Sequence, residues 1–514
     1  MNNSKLNIIP EPSVSSKMEG TFTINSYTTI LISDSTNNVE DFLINFVKIY
    51  KNLKLNKVDY ADSLNLKNVI ILRIEKDNDK KNEERYAITI SKDLIQISAD
   101  YSKGLFYGIQ TLTQLILTEN AFIDDKNQAI KVPCLEILDS PRFQWRGFML
   151  DEARHFFGKK IVKKILDLMA LLKFNIFHWH LTDDQGWRVE IRKYPRLIEI
   201  GSKREGTMAL KGKYFTGLSK KKARYDNTPV EGYYTQEDLK EIIQYAKDRF
   251  ITIVPEIDFP GHVTAALASY PELSCTGDPF EVSKVFGIHK DVFCIGNNDV
   301  YSFCQDVLDE IMKIFPSKCI HVGGDEVPTL RWKNCKKCQA KLKEEGLTDI
   351  KELQPYFTSK LNSFIKSKNH TLIGWNEILN DNLDIDAICQ YWINNLDVVI
   401  THIKRDRKVI MSEISALYLN YPIELLSLQQ AYGYDPIPPD LEEIYTNNIL
   451  GLEACLWTEY VKNQEMIESM IFPRIFAVSE VGWTSKSNKN FELFQEKLNN
   501  FDGCFKFYKD TWSK

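Results

Sequence analysis

From about residue 144 the chain repeats one unit: a short, largely apolar run followed by a stretch of helical spacing. The runs are QWRGFMLDEA (144–153), FNIFHWHLTDD (174–184), ITIVPEIDFPGH (251–262), CIHVGGDEV (319–327), TLIGWNEIL (371–379), AICQYW (387–392), KVIMSEISALYLN (408–420) and ILGLEACLWTE (449–459). A strand that is apolar on both faces must be covered on both, and helices packed on a parallel sheet do this. Between the runs, Ile161, Ile165, Leu168 and Leu172 recur at helical spacing. Thr235 and Asp238 form a capping box ahead of Leu239, Ile242, Ile243 and Ala246. Eight such units predict a (β/α)8 TIM barrel over residues 141–514, with inserted loops.

Residues 1–140 have a different rhythm. YAITIS (86–91) and LIQISA (94–99) alternate apolar and polar residues, as half-buried strands do, and GLFYGIQTLTQLI (104–116) reads as a helix. This predicts a small α/β packing domain, with mixed sheet and helices, in which no chemistry is concentrated.

The 514 residues are 43% hydrophobic and 26% charged, with a net charge of −5. That balance gives no global basic bias toward nucleic acid or anionic membrane. No apolar run reaches the roughly 18 residues of a membrane span. The opening MNNSKLNIIPEPS lacks the apolar core of a secretory leader, which leaves location open between the cytoplasm and a chain numbered after leader removal. A homodimer is left open as an assembly. The insertion at 203–232, with Lys220, Lys221, Lys222 and Arg224, is expected to be a solvated loop, since no aromatic platform accompanies its charge. Of the ten cysteines only Cys335 and Cys338 form a CxxC, and no second pair follows at finger spacing. Zinc needs about four ligands. The expectation here is a local pair of thiols or one disulfide, with no metal and no cofactor.

In a barrel of this kind the active site lies at the C-terminal ends of the strands. The first run holds Arg146 and, near its end, Asp151. The others end in Asp183-Asp184; Asp258 with Pro260-Gly261-His262; Asp325-Glu326; Trp375 with Glu377; Trp392; Tyr418 with Asn420; and Trp457 with Glu459. Indoles beside fixed polar groups suit a sugar, which offers apolar ring faces and hydroxyls. His178 and His180 share one face of a strand. They fit hydrogen-bonded core histidines, with a metal-dependent hydrolase as the rival reading. In HVGGDEV (321–327) two acids are adjacent, and neighbours on a strand point apart. The pair is therefore not expected to flank a scissile bond as acid and nucleophile. The glycines let the backbone re-aim both side chains, one toward a leaving group and the other toward a different part of the ligand.

HVGGDEV resembles the signature of family 20 glycoside hydrolases, the β-N-acetylhexosaminidases. SPRFQWRGFMLDEARHFF (140–157), FHWHLTDDQGWR (177–188), VPEIDFPGH (254–262), GWNEIL (374–379), YLN (418–420) and EACLWTE (453–459) are similar to family motifs in family order. IIPEP (8–12) resembles the family's N-terminal domain. The resemblance implies exo-acting release of terminal β-linked GlcNAc or GalNAc, with retention, through a substrate-assisted oxazolinium intermediate. That exception to the two-carboxylate rule is a known property of the family. Glu326 would be the acid/base. Asp325 would hold the acetamido N–H, and Tyr418 its oxygen. Trp375, Trp392 and Trp457 would wall the acetamido pocket. Arg146, Glu459 and Asn420 would bind the sugar hydroxyls, and Asp183 and His262 would form a relay behind Glu326. A non-catalytic sugar-binding protein on the same scaffold is the other alternative.

Overall fold

The (β/α)8 barrel and the mixed-sheet domain ahead of it are both present in the computed structural model. It describes residues 6–32, 36–59, 67–75, 82–120, 129–209 and 224–501. The N-terminal sheet consists of β1 (Val14–Ile24), β2 (Thr29–Ile32), β3 (Asn56–Asp59), β4 (Val69–Ile74), β5 (Tyr86–Ile90), β6 (Leu94–Ala99) and β7 (Ile130–Asp139), in the order β1-β7-β5-β6-β4-β2-β3. β5 and β6 are the two alternating runs. They pair antiparallel, and Ser91 N–H donates to Leu94 O at 2.8 Å to close the turn between them.

One helix, α1 (Ser102–Glu119), is buried along nearly its whole length. It packs on the sheet with one side and on the barrel helix α2 (Lys159–Leu171) with another. The apolar residues all round this helix follow from that double contact. Its Gln114 ties the layers together: Nε2 donates to Ile9 O and Leu171 O, and Oε1 accepts from Ile9 N–H.

The barrel strands are β8 (Trp145–Asp151), β9 (Ile176–His180), β10 (Thr252–Glu256), β11 (Cys319–His321), β12 (Thr371–Trp375), β13 (Ile388–Tyr391), β14 (Val409–Met411) and β15 (Ile449–Leu456). They pair in parallel in chain order, and β15 closes the ring against β8. Each lies inside one of the eight apolar runs. The capping box at Thr235–Asp238 starts the helix Gln236–Lys247. Trp145, Ile176, Val254, Ile373, Ile388 and Ile410, from the starts and middles of their strands, pack into an apolar plug. Met149, Trp375, Tyr418 and Cys455 form a second cluster toward the strand ends.

Arg146 is a correction to the sequence reading. It is the second residue of β8, so it stands at the end of the barrel opposite the strand C-termini. Its guanidinium is buried against the N-terminal domain, donating to Glu84 at 2.9 and 3.0 Å and to the Phe143 and Lys173 carbonyls. Burial alone would raise the Glu84 carboxyl, but Arg146 and Lys103 outweigh it and hold it at about 2. Arg146 therefore joins the two domains and does not reach the rim.

Among the described residues no helix is long and apolar enough to cross a membrane. Lys220, Lys221 and Lys222, and the side chain of Arg224, lie outside the described residues.

Candidate active site

β11 ends at His321, and the chain then turns sharply through Gly323 and Gly324, both at positive φ (65° and 93°). A Cβ at Gly323 would overlap the Asp258 carboxylate, whose Oδ1 accepts the Gly324 N–H at 3.1 Å. Only glycine fits that approach. The turn carries Asp325 and Glu326 beyond the strand, so the strict alternation of strand side chains no longer applies to them. Glu326 has φ 50° and His262 has φ 51°, a left-handed conformation that is uncommon outside glycine and is concentrated at functional sites.

One imidazole serves both acids. His262 Nε2 lies 3.5 Å from Glu326 Oε2 and 3.7 Å from Asp325 Oδ2. Behind it, Nδ1 lies 3.3 Å from Asp183 Oδ1 and 3.2 Å from Asp184 Oδ2. Burial alone would push the His262 ring toward neutrality, but Asp183, Asp184 and Glu326 outweigh it and carry its titration well above the usual histidine range. Asp184 was not assigned a role from sequence. Its Oδ1 accepts from the N–H and hydroxyl of Thr264, the first residue of the helix Thr264–Ser269, which fixes the loop that carries His262.

Asp325 is partly buried, and its one fully shielded oxygen, Oδ1, lacks any hydrogen-bond partner. Burial first, then Glu256 and Glu326, raises its carboxyl to about 6 against the opposing pull of His262. Asn420 likewise keeps a buried, unpartnered Oδ1, two residues past Tyr418. Buried polar atoms are nearly always satisfied, so such exceptions at the mouth of a barrel are candidate ligand contacts.

Aromatic rings line the opposite side. Trp375 lies 5.9 Å from Trp457, Tyr418 lies 6.3 Å from Trp457, and Trp392 stacks on Tyr418 at 6.0 Å and 15°. Trp375 Nε1 donates to Glu256 Oε1 at 2.9 Å, and Trp392 Nε1 to Glu377 Oε2 at 3.0 Å. These bonds fix the faces that the indoles present. Burial, and then Asp325, raises the Glu377 carboxyl to about 7.

The floor is a buried ionic hub. Glu256 meets His180 Nδ1 at 2.5 Å, His321 Nδ1 at 3.0 Å and His178 Nε2 at 3.1 Å, and His178 Nδ1 meets Glu453 Oε1 at 2.6 Å. His180 Nε2 faces Asp183 at 3.0 Å. Three groups here, His178–Glu256–His321, Asp183–Asp184–His262 and Asp258–His262–Asp325, have a spacing a cation could use. In the first two, ring nitrogens already face carboxylates at hydrogen-bond range, which matches the core-histidine reading of His178 and His180.

The arginine at this rim is Arg154, which sequence reasoning passed over. It follows the end of β8 by three residues. Its Nη2 lies 2.6 Å from Asp183 Oδ2, Nη1 lies 3.2 Å from Asp151 Oδ2, and Nε donates to Gln185 Oε1 at 2.9 Å. The guanidinium lies 5.0 Å from the Trp457 ring and interacts electrostatically with Glu459. The available signal was its position just past a strand C-terminus in LDEARHFF, where Arg146 stood at a strand start.

Comparison with known proteins agrees with this geometry. The model "Glycosyl hydrolase family 20, catalytic domain" matches residues 143–486, and "Glycosyl hydrolase family 20, domain 2" matches residues 5–140. A beta-hexosaminidase of Porphyromonas gingivalis is 37% identical over 509 residues, covering 96% of this chain and 62% of that protein. The chain thus spans less than two thirds of that relative. A beta-hexosaminidase of Vibrio furnissii is 34% identical over 81% of this chain and 67% of its own. Among solved structures, an exo beta-N-acetylglucosaminidase from Vibrio harveyi, in complex with N-acetylglucosamine, superposes with TM-score 0.81 at 29% identity, covering 96% of this chain and 76% of that one. A beta-N-acetylhexosaminidase from Bacteroides fragilis gives TM-score 0.81 at 30% identity over 98% and 96%.

Proposed function

The chain belongs to glycosyl hydrolase family 20, and we propose that it is an exo-acting β-N-acetylhexosaminidase releasing terminal, non-reducing β-linked GlcNAc or GalNAc with retained configuration. The observation that carries this reading is the arrangement of Asp325 and Glu326 on one imidazole, facing a cluster of three indoles and Tyr418. Glu326 protonates the leaving oxygen and later takes a proton from water. The sugar's acetamido oxygen attacks the anomeric carbon. Asp325, with a free buried oxygen, accepts the acetamido N–H and offsets the positive charge of the oxazolinium. Tyr418 donates to the acetamido oxygen, and Trp375, Trp392 and Trp457 enclose the methyl group. Arg154, in place of Arg146, joins Glu459 and Asn420 at the sugar hydroxyls. His262, backed by Asp183 and Asp184, aligns Glu326. An intramolecular nucleophile held in line supplies much of the barrier reduction through orientation.

Progressive fluorination of the acetamido methyl tests the central step. Each fluorine weakens the internal nucleophile, so kcat on aryl β-N-acetylglucosaminides falls steeply across the series. A flat response would place the nucleophile on the protein.

The pH profile tests Asp325. Its carboxyl sits at about 6, and only its anion offsets the oxazolinium charge. As pH falls through that value the neutral form accumulates, so kcat/KM declines on the acid side with a midpoint near 6. Asp325→Asn removes this limb together with most of the rate. A wild-type limb centred near 4 would contradict the assignment.

A further inference from the structure

Away from the sugar site, four cysteines that are far apart in sequence converge. Cys275 follows the turn Pro271–Leu273, Cys294 precedes the helix Asn298–Ile314, and Cys335 and Cys338 open the helix Lys336–Glu344. All four sulfur atoms lie within 4.8 Å of one another. Cys275 to Cys338 is 3.8 Å, Cys294 to Cys338 is 3.7 Å, and Cys294 to Cys335 is 3.6 Å. A disulfide would require about 2.05 Å. Four thiolates placed tetrahedrally at about 2.3 Å from one zinc ion stand about 3.8 Å apart. These three separations match the edges of that tetrahedron, and the remaining ones lie within 4.8 Å.

We propose that Cys275, Cys294, Cys335 and Cys338 bind one zinc ion in a closed, four-thiolate structural site. The surroundings are built for it. Cys294, Cys335 and Cys338 are buried, and Cys275 is partly so. A Cβ at Gly296 would overlap the backbone of Lys337 and Cys338, so glycine is what lets the two segments approach. Ser274 and Phe293 pair as an isolated antiparallel bridge, and Cys294 N–H donates to Leu273 O, which sets the first two ligands side by side. Trp332 Nε1 donates to Phe293 O at 2.8 Å, which brings the second two against them. With four protein ligands no position is left for substrate, so the ion is structural.

The site's place in the fold gives it a task. Cys275 and Cys294 lie on the segment after β10, which carries His262. Cys335 and Cys338 lie on the segment after β11, which carries Asp325 and Glu326. The zinc ion therefore clamps together the two loops whose spacing sets the His262–Glu326 contact. The expected absence of metal at the CxxC rested on sequence spacing alone, which did not reveal that two upstream cysteines meet it in space.

The test reads metal content, independently of glycosidase activity. Full-length protein is purified without added metal, desalted, and analysed by mass spectrometry of the elements, by X-ray absorption and by thiol titration. The expected result is about one zinc per chain with sulfur neighbours near 2.3 Å. Four thiols should become reactive only when the denatured protein meets a chelator. Cys338→Ser should lose most of the zinc and melt at lower temperature. Cys275→Ser, at the most exposed ligand, is the milder variant if Cys338→Ser does not fold, and Cys319→Ser, outside the cluster, should keep its zinc. Protein that is metal-free as purified and takes up no zinc or cobalt would overturn the proposal. So would disulfides joining these cysteines, or iron as the stoichiometric ion.

Discussion

Replacing Glu326 with Gln is expected to lower kcat on unactivated β-N-acetylglucosaminides by about a thousandfold or more, within or above the ~10²–10⁴ range typical of one positioned acid–base group. The fold should be untouched. Glu326 is one-third exposed and makes no ion pair closer than the 3.5 Å contact to His262, so an isosteric amide removes a proton donor without opening a cavity. The loss should depend on the leaving group. A dinitrophenolate departs without protonation, so its substrate should form the oxazolinium at a rate much closer to wild type than a chitooligosaccharide does. With that activated substrate the missing general base becomes the obstacle, and added azide, which needs no deprotonation, should accelerate turnover and yield the β-glycosyl azide. Equal losses across leaving groups, with no azide product, would remove Glu326 from the acid/base role. Near-wild-type turnover would do the same.

How far the sequence reached can be traced to the kind of information each feature needed. The eight barrel strands were legible because burial on both faces writes a continuous apolar run into each, and that property is local. Asp325 and Glu326 were legible for a similar reason: two glycines beside two acids mark a turn whose geometry few residues allow. Arg146 was misassigned although its place near the start of its run already put it at the N-terminal end of the strand, away from the rim that carries the site. In the structure that residue faces the N-terminal domain and finds Glu84, an acid 62 positions upstream. Asp184 was overshadowed by Asp183, since adjacent acids look interchangeable until the loop bearing His262 shows that both touch the same ring nitrogen. The cysteine cluster was the least legible feature. Its ligands come from two loops that meet only because β10 and β11 are neighbours in the closed barrel, and no spacing rule along the chain encodes that adjacency.

The two arginines give the second large prediction, because the same substitution at each should fail in a different way. Arg154→Met removes a guanidinium that contacts Asp183, Asp151 and Gln185 at the rim. With about two charge-assisted hydrogen bonds to sugar hydroxyls at ~1.5–3 kcal/mol each, kcat/KM should fall by about 10²–10⁴-fold. Arg154→Lys should recover only part, because an ammonium lacks the planar fork that grips two acceptors at once. Substrates lacking the C3 or C4 hydroxyl distinguish a direct grip from an indirect effect through Asp183. If Arg154 holds those hydroxyls, deoxygenation and Arg154→Met remove the same interaction, and their effects fall well short of additive. Full additivity would assign Arg154 solely to positioning Asp183. Arg146→Met is the counterpart. It leaves Glu84 buried with one remaining cation, Lys103, and should cost roughly 3–5 kcal/mol of stability, the usual consequence of halving a buried ion pair. Its melting temperature should drop well below wild type, while kcat/KM per folded molecule, measured below the transition, stays close to wild type. A variant at Arg146 that melted normally and lost activity would return that residue to the sugar site and displace Arg154 from it.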